Sequence, residues 1–271
     1  SPSSRCGVTG LRPTFGRVSR YGAMALSWTM DKIGPLCRSA EDCALVLRVI
    51  NGPDGKDNSL VDVPFNWDVT AHVRKLRVGY LKATFDREIT EDPANPQRSA
   101  PAKELKKINS DAFAVIRSLG IELKPIDLPQ LPANDLDFIL SVESAAAFDD
   151  ITRNNQVELM VKDPERSNWP GTFRLHRFVP AVEYIQANRL RYKMMEDFSK
   201  VFADIDLFIG SSLSVTNLTG HPEVSIPHGF DSQGQPTALN FTGKLFGDQA
   251  ILLLAHAFQS KTDHHLKRPK L

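Results

Sequence analysis

Five glycines (Gly7, Gly10, Gly16, Gly22 and Gly34), with Pro13 and Pro35 among them, punctuate the first 38 residues so closely that no helical period survives. Such a segment reads as loops with short extended pieces. Cys6 to Arg20 combine small residues, closely spaced glycines, a proline and alternating basic residues, a pattern suited to backbone running beside another part of the chain. Regular order begins at Ser39, an N-cap with Asp42 three residues on and Glu41 at the positive helix end. Ala44, Leu45, Leu47, Val49 and Ile50 give that helix a broad apolar face until Asn51-Gly52-Pro53 stops it.

The remaining pattern alternates strand and helix. Residues 75–81 suit a strand, 91–101 with Pro93, Pro96 and Pro101 a loop, 102–119 a long helix ending at Gly120, and 121–126 a second strand. Residues 136–152 read as one helix with a close-packing Ala145-Ala146-Ala147 run, and 153–179 as irregular. Pro180 suits position N1 of a helix running to about residue 203. Residues 206–209, 224–226 and 239–241 are short strand candidates, and 248–258 a largely apolar helix. The expected fold is α/β, a mixed sheet flanked by helices in one domain.

Composition narrows the function classes. Lys and Arg number 33 against 32 Asp and Glu, so the chain lacks the basic excess of a protein that grips nucleic acid through its phosphates. With 41% hydrophobic residues the 271-residue chain is apolar enough to fold, and no stretch is long and apolar enough to span a bilayer. Cys6, Cys37 and Cys43 are odd in number and form no CxxC or Cys/His ligand set, which points to buried or half-buried thiols in a reducing cytoplasm. Cys37 and Cys43 flank the start of a helix and are placed to meet.

Dinucleotide, P-loop, HExxH, EF-hand and GxSxG motifs are absent, and the histidine spacings place no two imidazoles on one helix face. No cofactor or metal is expected. A second informative loop, Asn217 to Pro222, reads as a turn presenting Asn217 and Thr219 at a strand end.

The run from Cys6 to Leu47, with its CGVTGLRPTFGRVS stretch, Asp31 followed by Gly34-Pro35 and the acidic-capped helix, closely resembles the amidase signature family of Ser–Ser–Lys amide hydrolases. Phe178-Val179-Pro180-Ala181, Tyr184 to Ala187, Asn217 to Pro222, Phe246-Gly247-Asp248 and the Thr262-Asp263 tail extend the likeness over nearly the whole chain. The resemblance implies that residues 1–271 are the C-terminal portion of a single amidase-signature domain, its sheet incomplete. Ser1-Pro2 align with the last two positions of the family's Gly-Ser-Ile-x-x-Pro run, so the nucleophile is expected three residues before Ser1, with the bridging serine and lysine further upstream. Ser1, Ser3 and Ser4 are no substitutes.

Amide hydrolysis is therefore the expected activity of the intact protein, with this segment inactive alone. The alternatives are a non-catalytic binding fragment and the A subunit of a glutamine-dependent tRNA amidotransferase. The implied partners are a small-molecule amide substrate and either a second copy of the chain or a further amidotransferase subunit. Trp28, Met30, Asp31, Phe173, Phe178 and Asn217 are the substrate-binding candidates, and exposed apolar faces and self-association are expected of residues 1–271 by themselves.

Overall fold

The computed structural model describes residues 2–90, 99–160 and 168–268. The chain begins with a single helical turn, α1 (Pro2–Cys6), and crosses into β1 (Thr9–Arg12), β2 (Leu36–Cys37) and α2 (Ala40–Ile50). Then follow β3 (Val78–Leu81), α3 (Lys82–Phe85), α4 (Ala100–Ser118) and β4 (Leu123–Ile126). Five helices come next: α5 (Ala133–Leu136), α6 (Phe138–Ala147), α7 (Asp149–Arg153), α8 (Trp169–Leu175) and α9 (Ala181–Ser199). The last third holds β5 (Leu207–Ile209), α10 (Leu213–Thr219), β6 (Glu223–Phe230), β7 (Pro236–Gly243) and α11 (Asp248–Gln259).

The strands form one mixed sheet in the order β2-β1-β6-β7-β5-β3-β4. β3 runs parallel to both β4 and β5, the other pairs are antiparallel, and Arg12 at the end of β1 pairs with Glu223 at the start of β6. Period-two alternation in β5 splits the core: Leu207 and Ile209 join the apolar layer under α2, α4 and α11, while Phe208 faces the layer formed with α5, α6, α9 and α10. Helices thus cover both faces of the sheet. The capping box at α2 is complete, since the Ser39 hydroxyl accepts from the Asp42 amide and the Asp42 carboxylate accepts from the Ser39 amide.

Several sequence expectations are corrected. Residues 2–6 are helical rather than loop, because the buried Ser3 packs on Gly10, where a Cβ would lie 2.7 Å from Ser3 Cβ. This contact aligns α1 beside β1. Residues 136–152 form three helices, broken at Asp137 and at Phe148, which leaves the helical region (φ −107°, ψ 24°) and stacks on Phe173. The stretch 153–179 contains α8, whose N-cap Asn168 accepts from the Gly171 amide. Pro180 is the N-cap of α9 rather than N1. The last two strands grow to eight residues each as a hairpin. The loop expected around Pro93 and Pro96 lies outside the described residues.

Cys6 is exposed, unlike the buried or half-buried thiol expected, whereas Cys43 is buried and Cys37 half-buried. The last two meet: burial and the neighbouring Cys37 thiol push the Cys43 pKa up. On α9 Val182, Ile185 and Tyr192 are exposed, as is Phe178 ahead of the helix. No helix among the described residues is long and apolar enough to cross a membrane.

Candidate active-site pocket

The pocket is built where β1, α10 and the turn after residue 25 converge. β1 ends in Arg12, and its pairing with β6 sets the guanidinium beside the helix that leads into that strand. Arg12 donates from Nη1 to Asn217 Oδ1 at 2.6 Å and from Nη2 to the Thr216 hydroxyl, and lies 3.6 Å from the Glu223 carboxylate. Its Nε is buried without a hydrogen-bond partner. Burial lowers the pKa of Arg12 and raises that of Glu223; the Arg12 charge and the Ser211 hydroxyl oppose the rise.

The opposite wall is a turn stapled by its own carboxylate. Asp31 Oδ2 accepts from the amides of Leu26 (2.8 Å) and Ser27 (3.0 Å), while the Asp31 amide donates to the Ser27 carbonyl at 3.0 Å. Behind it the buried Glu143 of α6 accepts from the Ser27 hydroxyl (2.5 Å), the Thr29 amide (3.0 Å) and hydroxyl (2.7 Å), and the Tyr184 hydroxyl (2.7 Å). Burial opposes the Glu143 charge, but these donors hold its pKa below the ordinary range. Arg191 closes the support by donating to the Thr29 hydroxyl and carbonyl and to the Leu218 carbonyl.

Lys32 projects between the walls, with Nζ 3.4 Å from the Thr216 carbonyl. Burial, then the positive charges of Arg12 and Arg191, lower its pKa to about 7. The resulting cavity of about 260 Å³ is lined by Arg12, Met30, Asp31, Lys32, Asp137 and Asn217, with Ser27 and three leucines between them. A larger cavity of about 690 Å³, bordered by Tyr21, Met24, Trp28 and Ile33, shares Asp31 and Lys32 with it.

Of the six substrate-binding candidates, Met30, Asp31 and Asn217 meet around the smaller cavity, and Trp28 with Asp31 lines the larger. Phe173 does not join them: it is 2% exposed in an aromatic cluster with Phe148 and Trp169. Phe178 stands on the surface at 83% exposure. Asn217 reaches the site from within α10, not from the turn expected of it. Arg12, Lys32, Glu143 and Arg191 were not singled out; the alternating basics after Gly10 and the Asp31-Lys32 pair were the available signals for the first two.

The amidase family model matches residues 1–215. The chain belongs to that family. Relatives of this amidase chain include the A subunit of glutamyl-tRNA(Gln) amidotransferase from Geotalea daltonii, 29% identical over 317 residues, and its counterpart from Bacillus licheniformis, 31% identical over 317 residues. Each alignment covers 100% of the chain and 63% of the relative, so the chain spans less than two thirds of their length. An amidase family protein from Bacillus anthracis superposes with a TM-score of 0.80 at 20% identity, over 100% of this chain and 56% of the other, which establishes a shared amidase fold.

Proposed function

We propose that the chain supplies the substrate pocket of an amide hydrolase as the C-terminal portion of a single domain. In this reading the Ser–Ser–Lys group implied by the family resemblance precedes Ser1. The observation that carries the reading is the Arg12 guanidinium, 22% exposed and anchored by Asn217 and Thr216 where it lines the smaller cavity. A guanidinium held at a cavity wall offers a substrate oxygen a charge-assisted hydrogen bond. Location supports it. Ser3 packs on Gly10 and Gly7 approaches Pro236, so α1 runs back along β1 and its first residues stand towards the Arg12 end of the sheet. A nucleophile just ahead of α1 would reach the same pocket.

In the proposed reaction, an upstream lysine takes the serine proton through the bridging serine, and the serine oxygen attacks the amide carbon. The C–N bond breaks, the amine leaves with a proton, and water then cleaves the acyl ester to a carboxylate. Arg12 and Asn217 orient the substrate oxygen, while Asp31 and Lys32 set the polarity of the opposite wall. The test joins the upstream segment to residues 1–271 and measures hydrolysis of simple aryl and alkyl amides. Activity that requires the upstream serine and falls in Arg12→Ala is expected. Turnover by residues 1–271 alone, or none in the longer chain, would overturn the reading.

A second reading, ammonia release from glutamine as part of a cytoplasmic amidotransferase, is favoured by the named relatives and by the mixed charge of the pocket. Arg12 and Lys32 suit a carboxylate, and Asp31 an ammonium. Glutaminase activity dependent on a partner subunit would favour it.

A further inference from the structure

We infer that the larger cavity is an aromatic subsite that takes a ring of the amide substrate against Trp28, while the amide itself occupies the smaller cavity. The inference rests on the reading of the smaller cavity as the amide's place. At about 690 Å³ the larger cavity is of ligand size. Three of the large apolar side chains on its border are exposed, Tyr21 at 67%, Met24 at 84% and Trp28 at 75%, and two of them already hold a cation against the ring, Lys56 at Tyr21 and Arg20 at Trp28. Their clustering within eight residues forms a wall rather than scattered surface groups.

The wall has a firm base. Arg20 donates from Nε and Nη2 to the Asp57 carboxylate at 3.0 and 3.3 Å, from Nη2 to the Ser59 hydroxyl at 2.7 Å, and from Nη1 to the Trp28 carbonyl at 2.6 Å. Its guanidinium also lies 4.9 Å from the Phe15 ring centroid and 5.9 Å from that of Trp28. The loop bearing Trp28 is thereby pinned before any ligand arrives, which reduces the entropy lost on binding. Asp57, the carboxylate on this side of the border, is already engaged through both oxygens by Arg20. A neutral ring suits this wall better than a second charged group. Asp31 and Lys32 border both cavities, so one molecule can extend past them with its polar end at Arg12 and its ring at Trp28.

The test takes the chain joined to its upstream segment, the upstream serine replaced by alanine so that no amide is turned over, and titrates it with acetamide, phenylacetamide, N-benzylacetamide and benzyl alcohol, read by ligand-observed NMR. At least one phenyl amide should bind about tenfold tighter than acetamide, the scale of one buried ring contact. The gain should vanish in Trp28→Ala, shrink in Met24→Ser and persist in Phe178→Ala, with melting temperatures unchanged because all three side chains are exposed. Whichever amide gains identifies the acyl or the amine side as the part held at Trp28. No gain for either ring, or a gain that survives Trp28→Ala, would overturn the subsite. If benzyl alcohol matched the phenyl amides with the same Trp28 dependence, the subsite would stand and the amide reading would fail.

Discussion

Arg17 Nε lies 2.6 Å from Asp248 Oδ2, and both side chains are at most 1% exposed. The same carboxylate accepts from the Thr14 amide and hydroxyl, each at 2.8 Å, while Arg17 also donates to Asn51, the Val63 carbonyl and the Phe246 carbonyl. The glycine-punctuated loop is thus tied to the first turn of α11. Removing one partner strands a buried charge, so Asp248→Ala is expected to cost about 3–5 kcal/mol, read as a lower urea midpoint.

Glu143 gathers four donors behind the Asp31 turn. Glu143→Gln would set an amide group against those donors and should destabilise by roughly 1–3 kcal/mol, with weaker amide binding as the turn loosens. Because the folded pKa lies below the ordinary 4.5, the native carboxylate contributes stability above that pH and loses it as pH falls through the folded value. The acid limb of the urea midpoint against pH should flatten in the variant.

His221 and His228 are buried, with pKa values lowered from 6.5 to about 3 and about 4, chiefly by burial. Below pH 6.5 the unfolded chain takes up protons that the native state refuses, so stability falls as pH drops towards 4. Replacing His228 by Gln should remove about 2 kcal/mol of the loss between pH 6.5 and 4.5, measured by urea unfolding at each pH. An unchanged pH slope would refute this.

Lys32 titrates in the fold near 7 against 10.5 for a free lysine. Between those values the unfolded state binds more protons, so the native state is penalised below pH 10.5 and most fully below 7. Lys32→Met should therefore raise the melting temperature most at pH 6–7, with the gain fading as pH rises from 7 and absent above about 10.5. A melting temperature that falls at pH 6–7 would show that the ammonium is a net stabiliser.

Gly34 sits so close to β1 that a Cβ there would lie 2.1 Å from the Leu11 carbonyl oxygen. Gly34→Ala is expected to cost about 3 kcal/mol or more, since backbone cannot yield as a flexible side chain would. The check is the soluble yield and urea midpoint of the variant.

Much of this architecture was legible in sequence because its signals are local. The Ser39–Asp42 cap, the amphipathic period of α2 and the run that forms α11 each announce themselves within a dozen residues. α10 did not: four of its seven residues are buried and its N-cap Ser212 makes no side-chain bond, so Asn217 looked like part of a turn. α1 is one turn held by tertiary contact with Gly10, too short for any period. Met30, Asp31 and Asn217, candidates named from family likeness, line the smaller cavity together. Arg12, Glu143 and Arg191 acquire their importance only when residues far apart in sequence meet, as in the 2.6 Å Arg12–Asn217 bond. Phe173 and Phe178 illustrate the converse, since an aromatic residue reads alike whether it fills a core, sits on a surface or greets a ligand.

The strand order also has a kinetic side. β1 has β6 as its inner neighbour, a strand beginning more than two hundred residues later. During synthesis the arginine at its end must wait, unsupported, until the more than two hundred residues between it and Glu223 have emerged. Pairing between such distant partners is slow to nucleate. The pocket should be among the last regions to mature, and early release from the ribosome would leave it the first casualty.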